Sequence, residues 1–192
     1  MIFATGGRRL VSSGIAALLV LGLFACSRSG INAPPGFQRF QEPNSAFTLV
    51  YPDTWTFQND PGGAVRLSDP ADATYQVSVV VSPAPRKDIK DITAFGSPKA
   101  VAERFATQVL KKKAPPGAKI EIANPQERKD SKGIPYYSFE VVLASGGKAI
   151  HYVYCVSVNG GKVYTLATGS NAIAWLDRRE KLYQIVNSFT IN

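Results

Sequence analysis

Residues 149–158 read Ala149-Ile150-His151-Tyr152-Val153-Tyr154-Cys155-Val156-Ser157-Val158. Side chains alternate across a strand, so Ile150, Tyr152, Tyr154, Val156 and Val158 share one face. His151, Val153, Cys155 and Ser157 take the other. Neither face is strongly polar, and a strand apolar on both sides is one that is covered on both sides. This stretch therefore belongs at the centre of a layered domain rather than at its surface.

The neighbours of this strand complete a meander. Residues 136–144 and 162–168 are similarly β-branched and aromatic, and the pairs Gly146-Gly147 and Gly160-Gly161 separate the three segments. Paired glycines supply the positive φ values that two-residue hairpin turns require. Upstream, residues 47–51, 65–67, 75–82 and 119–123 read as further strands.

Two helices flank the meander in sequence. The first covers residues 97–113, with Ser97 as N-cap, Pro98 in the first turn, and Val101, Phe105 and Val109 at spacings of four. The lysines at 111–113 close it, where cations suit the helix dipole. The second is capped by Asn171 and runs to Asn187, with Trp175, Leu176, Leu182, Tyr183 and Val186 as its apolar stripe. A short strand, Ser188-Phe189-Thr190-Ile191, ends the chain. Helices on each side of an antiparallel meander predict an α+β fold, an α-β-α sandwich whose central, mainly antiparallel sheet is covered on both faces.

The composition agrees with one such domain. The chain has 192 residues, 45% hydrophobic, 19% charged and 10% aromatic, with a formal net charge of +8. These values exclude a wholly disordered chain and a collagen. Two cysteines, at 26 and 155, exclude a disulfide framework, and one histidine excludes a histidine-rich metal site. The positive charge favours an acidic partner or an anionic surface.

The amino-terminal stretch reads as an address. Arg8 and Arg9 precede an apolar run from Ile15 to Ala25, which covers about 16 Å as a helix, against about 30 Å of hydrocarbon in a bilayer. That is the size of a signal-peptide core. It ends in Leu23-Phe24-Ala25-Cys26, which resembles a bacterial lipobox. The alternative is an ordinary cleavage site that carries a cysteine. The lipobox reading predicts a signal peptide over 1–25, acylation of Cys26, a flexible tether over 26–46 and the folded domain over 47–192. Several acyl chains together hold a protein to a membrane stably. Within the tether, Phe37 and Phe40 are the first residues expected to pack. Cys155, left without a partner, reads as a buried small hydrophobe.

Motifs for catalysis are missing. The chain has no Gly-x-Ser-x-Gly elbow, no P-loop and no Rossmann glycine pattern. His151 is expected to be a hydrogen-bonded core residue, and with Cys155 it makes only a weak metal pair. The carboxylates Asp53, Asp60, Asp69 and Asp72 stand in turns, which explains them without a metal. The basic clusters Arg86-Lys87 with Lys90, Lys111-Lys112-Lys113, Arg128-Lys129 with Lys132, and Arg178-Arg179 with Lys181 together point to docking on an acidic protein face or anionic lipid. Export makes nucleic acid an unsuitable partner, and a monomer is expected.

Several short strings then follow one another in a set order: Tyr51-Pro52-Asp53-Thr54-Trp55, Arg66-Leu67-Ser68-Asp69-Pro70, Val77-Ser78-Val79-Val80-Val81-Ser82-Pro83 and Phe95-Gly96-Ser97-Pro98. They continue as Tyr136-Tyr137-Ser138-Phe139-Glu140, His151, Gly161-Lys162-Val163-Tyr164-Thr165-Leu166, Trp175 and Ser188-Phe189-Thr190-Ile191. This series over residues 37–192 resembles the PsbP family, extrinsic proteins of photosystem II. The lipobox-like end resembles the cyanobacterial thylakoid lipoproteins of that family rather than its plant subunits. The resemblance implies a non-catalytic role at the lumenal side of the thylakoid membrane, supporting photosystem II assembly or stability and its oxygen-evolving complex. It implies photosystem II reaction-centre subunits or assembly intermediates as partners, and calcium association. Two other classes stay open on the residues alone: an envelope lipoprotein of the same fold that binds a small ligand or partner, and a hydrolase or metal enzyme that uses His151.

Overall fold

The computed structural model describes residues 33–44, 46–59 and 64–192. Ten strands and three α-helical segments follow in order: β1 (Phe37–Gln41), β2 (Phe47–Pro52), β3 (Thr56–Asn59), β4 (Val65–Asp69), β5 (Asp72–Pro83), α1 (Pro98–Phe105), α2 (Lys111–Lys113), β6 (Lys119–Lys129), β7 (Pro135–Ser145), β8 (Lys148–Asn159), β9 (Lys162–Asn171), α3 (Trp175–Ser188) and β10 (Thr190–Ile191). A 3₁₀ turn, Ile92–Phe95, precedes α1. Among the described residues no helix is long and apolar enough to cross a membrane.

Seven strands form one antiparallel sheet in the order β3-β4-β5-β9-β8-β7-β6. β8 lies inside it, paired on both edges, as its two apolar faces predict. The turns that flank it are the two glycine pairs, all four residues with φ between 57° and 75°. Only residues without a Cβ adopt two such values in succession without strain.

Each sheet face carries its own core. On one face Tyr154, Val156 and Val158 of β8 join Tyr137, Phe139 and Val141 of β7 beneath Val101 and Ala102 of α1. On the other, Val153 and Cys155 join Val77, Leu166 and Tyr136 beneath Leu182, Ile185 and Val186 of α3. That second face is also closed by a small sheet of order β1-β2-β10. The predicted helix-covered antiparallel sheet is therefore the observed architecture, with a small sheet sharing one cover layer.

Local departures have physical causes. β1 lies inside the stretch assigned to the tether. Its Phe40 packs on Phe47 at 6.0 Å and stacks on Phe57 at 6.2 Å, so order begins no later than Phe37. The predicted helix 97–113 is present, but Ala106–Leu110 is wound as a π-helix. Just there the Thr107 hydroxyl donates back to the carbonyls of Glu103 (3.0 Å) and Arg104 (3.1 Å). Such back-bonding competes with the regular helical ladder. β6 runs past its predicted end because the register shifts between Ala123 and Gln126, where Asn124 takes φ 52° beside Pro125. A bulge admits a proline that a regular ladder refuses. In α3, Ile185 is buried while Leu176, expected on the stripe, is 82% exposed.

Candidate functional site

Cys26 lies outside the described residues. The other sequence-chosen groups fall at separate places in the fold, and the structure divides the basic residues into two kinds.

Arg178 and Arg179 are committed internally. The Arg178 Nη1 donates to Asp72 Oδ2 at 2.5 Å and to the Ser170 hydroxyl at 3.2 Å, and the guanidinium lies 4.3 Å from the centre of the Tyr75 ring. Asp72 also accepts from the Thr74 amide and hydroxyl and from Asn171 Nδ2. Asn171 in turn accepts from the Ala174 amide at 2.9 Å, which turns the chain from β9 into α3. Asp72, expected from the sequence to be a turn residue, is the hub of a clasp joining β5, β9 and α3.

Arg178, then the Thr74 bonds, hold the Asp72 carboxyl well below its usual range, at about 2. A carboxyl depressed on folding stabilises the fold above its unfolded pKa, near 4, and loses that contribution as pH falls toward 2. The expected result is a melting temperature that falls more steeply between pH 4 and about 2 in the native chain than in Asp72→Asn. Melts monitored by circular dichroism across that interval check it.

Arg179 meets Glu140 of β7 at 3.0 Å, and the Tyr183 hydroxyl donates to the same carboxylate at 2.5 Å. Burial alone would raise the Glu140 carboxyl. The bonds from Tyr183, Asn124 and Arg179 outweigh it and keep the group below its ordinary value. Each guanidinium of the pair proposed for docking thus already has a carboxylate partner within the fold.

Arg128 has a third internal role. Its Nη2 donates to the carbonyls of Val186, at 3.2 Å, and Phe189, and its guanidinium lies 4.0 Å from the Tyr136 ring centre. The remaining clusters face solvent. Arg86 pairs only with exposed Asp88 at 3.3 Å. Lys87, Lys90 and Lys111, Lys112 and Lys113 are exposed and have no carboxylate partner among the described residues.

His151 is half-buried and stacks on Trp175, ring centres 4.8 Å apart. Its partner is thus an aromatic ring rather than the hydrogen-bonding group that the sequence predicts. Cys155, on the same face, is fully buried, and burial pushes its thiol up to about 11. Among the described residues no three His, Cys, Asp or Glu side chains gather into a metal-holding group. Calcium takes six to eight oxygens. The oxygens of Asp72 are occupied by Arg178, Thr74 and Asn171, so neither this clasp nor the His151 region fits that ion.

Sequence reasoning misses the Glu140–Arg179–Tyr183 triangle, whose signals are the charge of Glu140 within an apolar strand and the spacing of four between Arg179 and Tyr183.

A family model described as PsbP matches residues 35–191. PsbP-like protein 1, chloroplastic, of Arabidopsis thaliana is 31% identical over 156 residues, which are 81% of this chain and 65% of that protein. The chain thus spans a little under two thirds of that relative's length. CyanoP of Thermosynechococcus vestitus is 25% identical over 182 residues, covering 89% of this chain and 94% of the relative. The solution structure of cyanobacterial PsbP (CyanoP) from Synechocystis sp. PCC 6803 superposes with a TM-score of 0.68 at 23% identity, over 88% of this chain and 99% of that one. The last likeness is one of fold.

Proposed function

This chain belongs to the PsbP family, and on that premise we propose that it is a non-catalytic accessory protein of photosystem II. It acts from the lumenal side of the thylakoid membrane, held there by acylated Cys26, and supports assembly or stability of the complex. The observation that carries the docking part is the division among its cations. Arg128, Arg178 and Arg179 are tied to internal acceptors, whereas Lys87, Lys90, Lys111, Lys112 and Lys113 are exposed and unpaired among the described residues. Unpaired surface cations cost no internal bond when they meet an acidic face, and they set association rate and salt dependence. The non-catalytic part of the reading is supported by family membership and by the packing of His151 on Trp175.

The test uses the full chain in thylakoids. Reversing all three of Lys111, Lys112 and Lys113 to glutamate is expected to lower recovery of photosystem II or its assembly intermediates by about tenfold, since each 1.4 kcal/mol of lost attraction is tenfold in affinity. Lys99→Glu, on the same helix, serves as the control. Equal recovery by all three proteins removes the docking face from this reading. Mass spectrometry of the mature amino terminus decides whether Cys26 is the acylated first residue.

A further inference from the structure

The helix that covers one face of the seven-stranded sheet stops short of half of it. α1 packs over β6 and β7, and on the same face the β9 and β5 rows are left open. The floor is read from the register, running from buried to open across each row: Tyr154, Ala167 and Ser78 lie side by side, then Val156, Thr165 and Val80, then Val163 and Ser82, with the β8 residues buried, the β9 residues half-buried and Val80 and Ser82 exposed. Val80 is 47% exposed on this floor. Between floor and helix runs a trough of about 440 Å³, walled by Phe105, Val109, Leu110 and Lys113. It continues past Phe105 and Val109 to a recess of about 130 Å³ at Ile92 and Phe95. At the other end it passes Leu110 and Tyr154 to one of about 160 Å³ at Leu143 and Tyr152.

We propose that this trough binds a single-chain fatty carboxylate, its hydrocarbon on the valine floor and its head group at Lys113. The volume is that of small-ligand sites, which span about 300–1,000 Å³. Among the lining residues the only charges are Arg104 and Lys113, and no carboxylate is present. Lys113 shares its end of the trough with the Tyr152 and Tyr154 rings, whose hydroxyls can donate to an anionic head group. β5, β9 and β8 are interior strands whose backbone groups bond one another. An extended peptide laid on that floor would leave its own amides without partners, which is costly in an apolar site. A hydrocarbon chain has no such groups to satisfy. The π-helical segment carries Val109 and Leu110 in the wall, and such segments recur at ligand sites.

Lys113 belongs to the docking face as well as to the trough, but the test of the trough involves no partner protein, so failure of one reading is distinguishable from failure of the other. Dodecanoate, below its micellar concentration, is titrated into the ¹⁵N-labelled chain. The expected result is saturable one-to-one binding, with amide shifts gathered at Val80, Val109, Val156 and Ala167. Ala167→Phe and, separately, Ser78→Phe fill the floor and are each expected to weaken binding at least about tenfold. Lys113→Gln is expected to weaken dodecanoate about fivefold and leave dodecanol unchanged, because the ion pair is lost and the apolar contact is kept. Unsaturable binding, shifts scattered over the surface, or native affinity in either filled variant with an unchanged melting curve overturns the site. An equal loss for dodecanol in Lys113→Gln overturns the placement of the head group.

Discussion

Replacing Phe189 by alanine is expected to destabilise the fold by about 3–5 kcal/mol, the range for truncating a buried aromatic side chain. Phe189 is fully buried at the point where α3 ends and β10 begins. Its ring stands edge-on to Phe47 of β2 at 5.6 Å and to Tyr136 of β7 at 6.0 Å. One side chain thus joins the small sheet, the large sheet and the last helix. Aromatic pairs in this orientation add to the transfer energy of the ring itself. The cavity left by alanine is hemmed in by β-sheet on both sides, where the backbone has little freedom to collapse. Urea denaturation checks the figure through a lower midpoint at unchanged slope. A change below about 1 kcal/mol would mean that the two sheets are not coupled through this ring.

What the sequence made legible was the part governed by short-range rules. Alternation in residues 149–158 placed β8 inside the sheet with both faces covered, and the glycine pairs placed the hairpins. Spacing of four placed α1, with Ser97 accepting from the Ala100 amide at its start. β3 escaped because Thr56-Phe57-Gln58-Asn59 is short and carries no alternating apolar pattern of its own between its flanking turns. It is held by pairing with β4 rather than by its own pattern. The sequence places Leu176 on the buried stripe beside Trp175, yet the helix turns it outward, 82% exposed. A stripe drawn from spacing alone leaves its azimuth free by about one residue.

The candidate site was less legible, because a run of cations does not reveal its partners. Arg178 reaches back across the chain to Asp72, and Arg179 to Glu140. Asp72 is not distinguishable in sequence from a solvated turn residue. Glu140 sits in an apolar run, Ser138-Phe139-Glu140-Val141, and a charge on a buried face is a signal that it has a partner. That partner lies on a helix about forty residues away, beyond any local rule. The lysines at 111–113 stay exposed for a local reason: they close a helix, where the dipole favours cations and solvent reaches them.

Arg128→Ala is expected to cost about 2–4 kcal/mol, more than any exposed cation in the chain, because three favourable contacts end together. The guanidinium donates to the carbonyls of Val186 and Phe189 at the end of α3. The Val186 carbonyl also accepts the Phe189 amide at 3.3 Å, so the arginine supplements a single capping bond there, and the negative end of the helix dipole adds to the attraction. Over the face of Tyr136 the same group makes a cation–π contact at 4.0 Å. The conservative variant Arg128→Lys separates the parts. Lysine keeps the charge near the ring but lacks the planar fork that spans two carbonyls. It is therefore expected to recover about half of the loss, and Arg128→Met to recover only the packing of the stem. A double-mutant cycle with Tyr136→Leu isolates the ring contact, for which a coupling of about 0.5–2 kcal/mol is expected. If Arg128→Ala melts within a degree of the native chain, the end of α3 is held by β10 and Phe189 alone, and the arginine on β6 is only a surface charge.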